Sequence, residues 1–244
     1  ACGVRGLDLT EIYRVRGWAY PHMRKRVGVY GGMFDPVHCG HLAVAELAVE
    51  ALSLDRILLV PCKLPNHRHA ASASGPQRLD MLGLACAKKP QLEASPIELE
   101  REGVSYSVDT LTQLRAADPD TDFVFVLGRD AFEGLPRWER WERLLDENLL
   151  AVVSRPGVSV SRESADLTQL KARQVASPEA LFSAAAGKVI LLDELQNPLS
   201  SSLVRAAIGK EGLTEDRGRE GWLPSAVQAY IEMHELYRKS DNKD

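Results

Sequence analysis

Apolar residues in this chain fall into short β-type runs separated by stretches of helical spacing. Val27-Gly28-Val29-Tyr30 is the first run and stops at Gly31-Gly32. Leu42, Ala45, Val49 and Leu52 follow at intervals of three and four, which places them on one face of a helix. Arg56 to Val60 predicts a second strand, closed by Pro61. Residues 77–87 predict a helix, 91–94 a short strand and 108–117 another helix. Phe123 to Leu127 and Leu149 to Val153 are apolar at every position, the pattern of parallel strands covered on both faces. Val189 to Leu192 is the last such run. Val227, Tyr230, Ile231, His234 and Leu236 then repeat at helical spacing after Pro224.

This alternation predicts an α/β fold, a doubly wound Rossmann-like parallel sheet with helices on both faces. Ligands of such sheets bind beyond the carboxyl ends of the strands, so the residues just after each strand carry the functional question. Residues 156–187 are rich in Ser, Ala and charge and predict a peripheral helix with loops. Residues 23–240 are expected to form one domain. Residues 1–22 lack periodicity and an apolar signal region, and Met23 is the first methionine. They are expected to be an extension that adds nothing to the fold.

Composition narrows the classes. The 244 residues are 45% hydrophobic and 26% charged, as in an ordinary globular protein. A net charge of −4 gives no pull toward nucleic-acid polymers or anionic membranes. No run reaches the ~18 apolar residues of a membrane span. The four cysteines form no CxxC pair and predict free thiols in a reducing, cytoplasmic setting. A homo-oligomer is left open.

The chemistry begins after the first strand, at Gly31-Gly32-Met33-Phe34-Asp35-Pro36-Val37-His38-Cys39-Gly40-His41. Paired glycines let backbone approach a ligand, and a helix start offers free N–H groups and partial positive charge to phosphate. His38 and His41, three apart, can face one side of that helix start. Phosphate binding is the favoured reading. An HxxH metal site and a plain turn with helix-start histidines are the alternatives. After the second strand, Pro61-Cys62-Lys63-Leu64-Pro65-Asn66-His67-Arg68-His69 is a basic loop suited to triphosphate or to the surface. After the last strand, Ser200, Ser201 and Ser202 open a helix, with Arg205 one turn in. They can cap it, or offer donors to an anion. There is no GxGxxG or GxxxxGK[ST], against a dehydrogenase or a P-loop enzyme.

Residues 31–41 resemble the nucleotidyltransferases that carry an HxGH signature, and Pro198 to Arg205 is similar to the same superfamily's I-S-S-T-x-I-R, with Ser202 for threonine. Three further segments resemble nicotinate-nucleotide adenylyltransferases: Ser105-Tyr106-Ser107-Val108-Asp109-Thr110-Leu111, Gly128-Arg129-Asp130-Ala131 and Leu135-Pro136-Arg137-Trp138. The basic loop resembles their Pro-Pro-His-Lys segment, with Asn66 and Arg68 as departures, and Arg155-Pro156-Gly157 also fits.

The resemblance implies adenylyl transfer from ATP to nicotinate mononucleotide in NAD biosynthesis, by direct in-line attack. It implies that His38, His41 and Arg205 are catalytic. ATP would meet these three and Gly31, Gly32, Met33, Phe34, Arg68, Ser200, Ser201 and Ser202. The mononucleotide would meet His67, Ser105, Tyr106, Asp109, Thr110, Gly128, Asp130, Trp138 and Arg155, with the indole of Trp138 under the pyridine ring. Mg2+ would bridge substrate phosphates, with no ligand from protein side chains. Other nucleotidyltransferases of this fold, acting on nicotinamide mononucleotide or phosphopantetheine, and a nucleotide sensor without turnover are the rivals.

Overall fold

The computed structural model describes residues 24–64, 71–154, 172–192, 195, 199–211 and 221–238. Residues 1–22, His67, Arg68 and Arg155 lie outside these. The strands are β1 (Lys25–Gly32), β2 (Arg56–Pro61), β3 (Leu92–Ala94), β4 (Thr121–Gly128), β5 (Leu149–Val153), β6 (Gln174–Val175) and β7 (Val189–Leu192). They form one sheet in the order β3-β2-β1-β4-β5-β7-β6, and every pairing is parallel. The order reverses between β1 and β4, the switch point at which doubly wound sheets open a crevice.

Helices cover both faces. Helices α1 (Cys39–Leu52), α2 (Gly75–Cys86), α8 (Ser201–Glu211) and α9 (Ser225–Met233) pack on one side, through a cluster joining Leu42, Leu52, Met81, Leu82, Val204, Val227 and Ile231 to Ile57, Leu59, Val124, Val126 and Ala151. The short α7 (Pro178–Phe182) adds Leu181 to the same cluster. On the other side, α4 (Ser107–Ala117), α5 (Arg129–Glu133), the 3-10 turn Leu135–Arg137 and α6 (Trp141–Asp146) cover Val29, Leu58, Phe123, Phe125, Leu150 and Val152. Successive residues of one strand serve opposite clusters, which is why the central runs are apolar at every position. Each buried Leu, Ile or Val contributes roughly 1.5–3 kcal/mol by leaving water.

Local sequence sets the helix ends. Ser74 accepts from Gln77 N and Gln77 Oε1 accepts from Ser74 N, a reciprocal cap at the start of α2, with Pro76 in its first turn. α1 stops where Ser53 turns left-handed, φ 50°. The tail helix ends at Met233, short of the 236 that its periodicity suggests. Glu235 and Tyr237 take positive φ, and this turn delivers Tyr237 to the loop after β1. Residues 172–187 hold the short β6 and α7, where one peripheral helix was expected. A four-residue α3 (Ile97–Glu100) also precedes the loop into α4.

Candidate active site

His38 caps α1 in extended backbone, φ −143° and ψ 168°. Its main-chain N–H donates to His41 Nδ1 at 3.3 Å. That bond makes Nδ1 an acceptor, so the proton of a neutral His41 ring sits on Nε2, pointing away from the cap. The two imidazoles stack, 3.7 Å between centroids at 27°. His38 is buried and His41 partly exposed.

The pair rests on Phe34, whose ring meets His41 edge-on at 4.9 Å and Tyr30 at 5.5 Å. Phe34 adopts φ 49°, rare for a bulky residue. It is fully buried, so it forms the floor beneath His41 and presents no surface to a ligand. A Cβ on Gly32 would press on this ring at 3.1 Å, so glycine there makes room for Phe34. A Cβ on Gly31 would meet only Phe125, at 3.8 Å. Packing does not demand glycine at Gly31, and its exposed backbone is open to a ligand.

Asp35, followed by a cis bond to Pro36, holds the loop together. Its carboxylate accepts from Ser72 N at 2.7 Å, Ala73 N at 3.0 Å and the Tyr237 hydroxyl at 2.8 Å. Burial and the neighbouring Asp35 both push the Tyr237 phenol far above its ordinary pKa, keeping it a donor. Arg78, 2% exposed, donates to the main-chain oxygens of Met33 (2.8 Å), Cys62 (2.7 Å) and Ala73 (3.3 Å). Its pKa is lowered by burial, with Asp35 opposing. The loops after β1 and β2 are thus fastened to one guanidinium.

From the far end of the chain, Arg205 Nη1 donates to the Asp35 carbonyl at 2.6 Å and lies 3.7 Å from its carboxylate. Ser201 Oγ donates to the Pro36 carbonyl at 3.0 Å. Ser200 Oγ accepts from Leu203 N, and Arg205 Nη2 contacts Ser202 Oγ at 3.4 Å. The start of α8 and the HxGH loop, more than 160 residues apart in sequence, therefore form one unit. In it the Ser201 and Ser200 hydroxyls serve the protein's own backbone.

The residues assigned to the acceptor side gather after β4 and around the start of α4. Gly128 ends β4, and a Cβ there would meet Asp130 Oδ1 at 2.8 Å. Trp138 is partly exposed, with Phe125 edge-on at 6.3 Å. Asp109 is held bidentately by Arg140, at 2.8 and 2.7 Å, and the same guanidinium lies over the Tyr106 ring at 5.3 Å. Arg140 hydrogen bonds lower the Asp109 pKa, with burial opposing. The Thr110 hydroxyl turns inward to Glu98 at 2.7 Å. Of the predicted residues, Asp109 and Thr110 are thus engaged by protein partners, while Tyr106 and Trp138 retain partly exposed rings.

Residues 29–207 match the cytidylyltransferase-like family. The chain is 39% identical over 217 residues to the probable nicotinate-nucleotide adenylyltransferase of Cellvibrio japonicus, covering 88% of this chain and 100% of that one. The chain belongs to the nicotinate-nucleotide adenylyltransferase family. The Pseudomonas aeruginosa relative of the same description is 39% identical over 88% of this chain and 99% of its own length. In three dimensions the fold is that of the Plasmodium falciparum nicotinic acid mononucleotide adenylyltransferase complexed with NaAD, with a TM-score of 0.67. Identity there is 20%, with 87% of this chain and 97% of that one covered. Family members are nucleotidyltransferases, enzymes that generally use a divalent metal.

Among the described residues no group of three or more His, Cys, Asp or Glu could hold a metal ion. No described helix is long and apolar enough to cross a membrane. Among the described residues, Cys39, Cys62 and Cys86 form no disulfide with one another.

Sequence reasoning left Arg78, Tyr237, Glu98 and Arg140 unassigned. Arg78 carried a usable signal: it stands on the same helical stripe as the buried Met81, Leu82 and Ala85, where an isolated arginine has to find partners. Arg140 and Tyr237 carried none, because their partners lie 31 and 202 residues away.

Proposed function

We infer that this protein transfers the adenylyl group of ATP to nicotinate mononucleotide, giving nicotinate adenine dinucleotide and pyrophosphate in NAD synthesis. An oxygen of the mononucleotide 5′-phosphate attacks the α-phosphorus of ATP. The bond from that phosphorus to the bridging oxygen of the β-phosphate breaks in line, and pyrophosphate leaves with the electron pair. The protein positions both substrates and neutralises charge, without a covalent enzyme intermediate.

The stacked His38–His41 pair at the start of α1, beside the β1–β4 switch point, is the observation that carries this reading. The Nε2–H of His41 is a fixed donor for a phosphoryl oxygen whose charge grows in the transition state. Arg205 adds a positive group from α8, one hydrogen bond from the same loop. The amides opening α1 supply further partial charge. His67 and Arg68 are assigned to the substrate phosphates and Arg155 to the mononucleotide, on the strength of their motifs.

Mg2+ fits as a companion of the triphosphate. Asp35, the carboxylate closest in sequence to the histidines, has both oxygens committed to Ser72, Ala73 and Tyr237. The described residues offer no carboxylate cage, so the ion would be held by substrate oxygens and water. A cytoplasmic location agrees with the free thiols of Cys39 and Cys86. Residues 23–240 are taken as one catalytic unit.

A pyrophosphate-release assay with ATP and candidate acceptors tests the function. Release is expected with nicotinate mononucleotide. Release only with another acceptor would assign the chain a different substrate, and none with any acceptor would leave a nucleotide-binding protein without turnover.

A further inference from the structure

Glu98 is a buried carboxylate that nothing in the transfer reaction uses. It belongs to α3, is 7% exposed, and stands behind the acceptor loop rather than in the crevice. Its Oε1 accepts the Thr110 hydroxyl proton at 2.7 Å. Thr110 Oγ1 in turn accepts from Arg101 Nη2 at 3.1 Å. Ser105 Oγ accepts from Lys63 N at 3.1 Å, and Ser105 N donates to the Leu64 carbonyl at 3.1 Å. Lys63 Nζ closes the circuit on the Arg101 carbonyl at 2.7 Å.

The direction of these bonds is informative. An ionised carboxylate only accepts, so it orients the Thr110 hydroxyl with its proton inward and leaves the Thr110 oxygen to receive Arg101. The Arg101 carbonyl takes Lys63 Nζ, and the Ser105 oxygen receives the Lys63 amide beside it. Two loops meet here: residues 62–64 follow β2 and lead toward the basic segment, and residues 101–106 lead into α4 on the acceptor side. Burial raises the Glu98 pKa, with the Thr110 hydrogen bond, then Arg101 and Arg78, opposing it. A carboxylate kept at such a site is there for the geometry that it imposes on its donors.

We propose that Glu98 is a positioning residue for the acceptor site, aligning the Thr110 hydroxyl to receive Arg101, whose carbonyl holds Lys63, so that the loop after β2 and the loop before α4 stay zipped at Lys63, Leu64 and Ser105. This rests on the assignment of the acceptor loop to nicotinate mononucleotide. It also reassigns the Thr110 hydroxyl: it shapes the loop from behind, and the substrate meets its front, where Tyr106 stands.

The test is Glu98→Gln, which keeps the shape but replaces one acceptor oxygen by a donor. The KM for nicotinate mononucleotide should rise about ten-fold, with the KM for ATP changed by less than about two-fold. Thr110→Val, which removes one donor and leaves the carboxylate, should shift the same constant, and the double variant should add less than the two separate effects. Amide exchange at Lys63 and Ser105 should accelerate together in Glu98→Gln, while Val124 in the central strand keeps its protection. That last measurement needs no substrate, so it tests the zipper even if wild-type protein fails to turn over nicotinate mononucleotide. Equal changes in both Michaelis constants, or unchanged exchange at Lys63 and Ser105, would overturn the proposal. A Glu98→Gln protein too unstable to assay transfers the decision to Thr110→Val, where an unchanged acceptor KM and unchanged exchange would do the same.

Discussion

The His38 main-chain N–H donates to His41 Nδ1, and the two rings stack 3.7 Å apart. One histidine thus fixes the tautomer of the other, and the Nε2–H of His41 becomes an oriented donor. His41→Ala should therefore lower kcat by about 100- to 1,000-fold, the usual cost of losing one transition-state donor, with a smaller effect on ATP binding. Steady-state kinetics check this, and a variant retaining over about a tenth of wild-type turnover would remove His41 from the chemistry.

Trp138→Ala should raise the KM for the mononucleotide and leave that for ATP nearly unchanged. Because the indole also packs on Phe125, some stability will be lost as well. Trp138→Phe separates the two roles, since it keeps an aromatic face. It should recover much of the acceptor affinity, and equal damage to both Michaelis constants would make Trp138 a packing residue.

Asp35→Asn replaces one acceptor oxygen by an amide donor opposite two backbone N–H groups and a phenol. A stranded buried donor costs about 1–3 kcal/mol, and the loop carrying His38 and His41 should loosen with it. Urea unfolding should show the lower midpoint, and activity should fall further than stability explains. A fully active and equally stable variant would mean that Arg78 and Arg205 hold the loop unaided.

Asp109 should titrate below the ordinary carboxylate range, because Arg140 hydrogen bonds favour its ionised form. Its folded pKa is depressed, so the stabilisation is present above the unfolded value of about 3.9 and is lost as pH falls through the folded one. Both side chains are more than a third exposed, so the pair is worth only about 0.2–1 kcal/mol. An NMR titration should show the low value in wild type and its return to the ordinary range in Arg140→Ala.

Acceptor choice should favour nicotinate over nicotinamide mononucleotide by one to two orders of magnitude in kcat/KM. Donors aimed at a ring carboxylate pair with both of its oxygens, whereas an amide turns a second donor toward them. Hydrogen bonds to a charged partner are worth about 1.5–3 kcal/mol, which permits such a ratio. Comparing the two efficiencies at saturating ATP decides it, and equal values would remove the acid specificity while leaving the transfer chemistry intact.

The strands and the HxGH loop were legible because their signals are local. Apolar runs fix β4 and β5 to within two residues, and the spacing of His38 and His41 alone places them side by side. What stayed hidden depends on contacts across the fold. Nothing near Asp35 in sequence reveals that Tyr237 and Arg205 come back to it, or that Thr110 points at Glu98 instead of at a substrate. Phe34 sits inside the motif, yet its positive φ buries the ring, and a left-handed turn at phenylalanine has no sequence signature.

Among the described residues, Arg78 grips the loops after β1 and β2 only through carbonyl oxygens. A peptide carbonyl is common to every amino acid, so this grip does not depend on which side chains stand at Met33 and Cys62, both only partly buried. Substitutions at those two positions can retune what the crevice recognises without dismantling the frame that holds it, whereas position 78 itself has no such freedom.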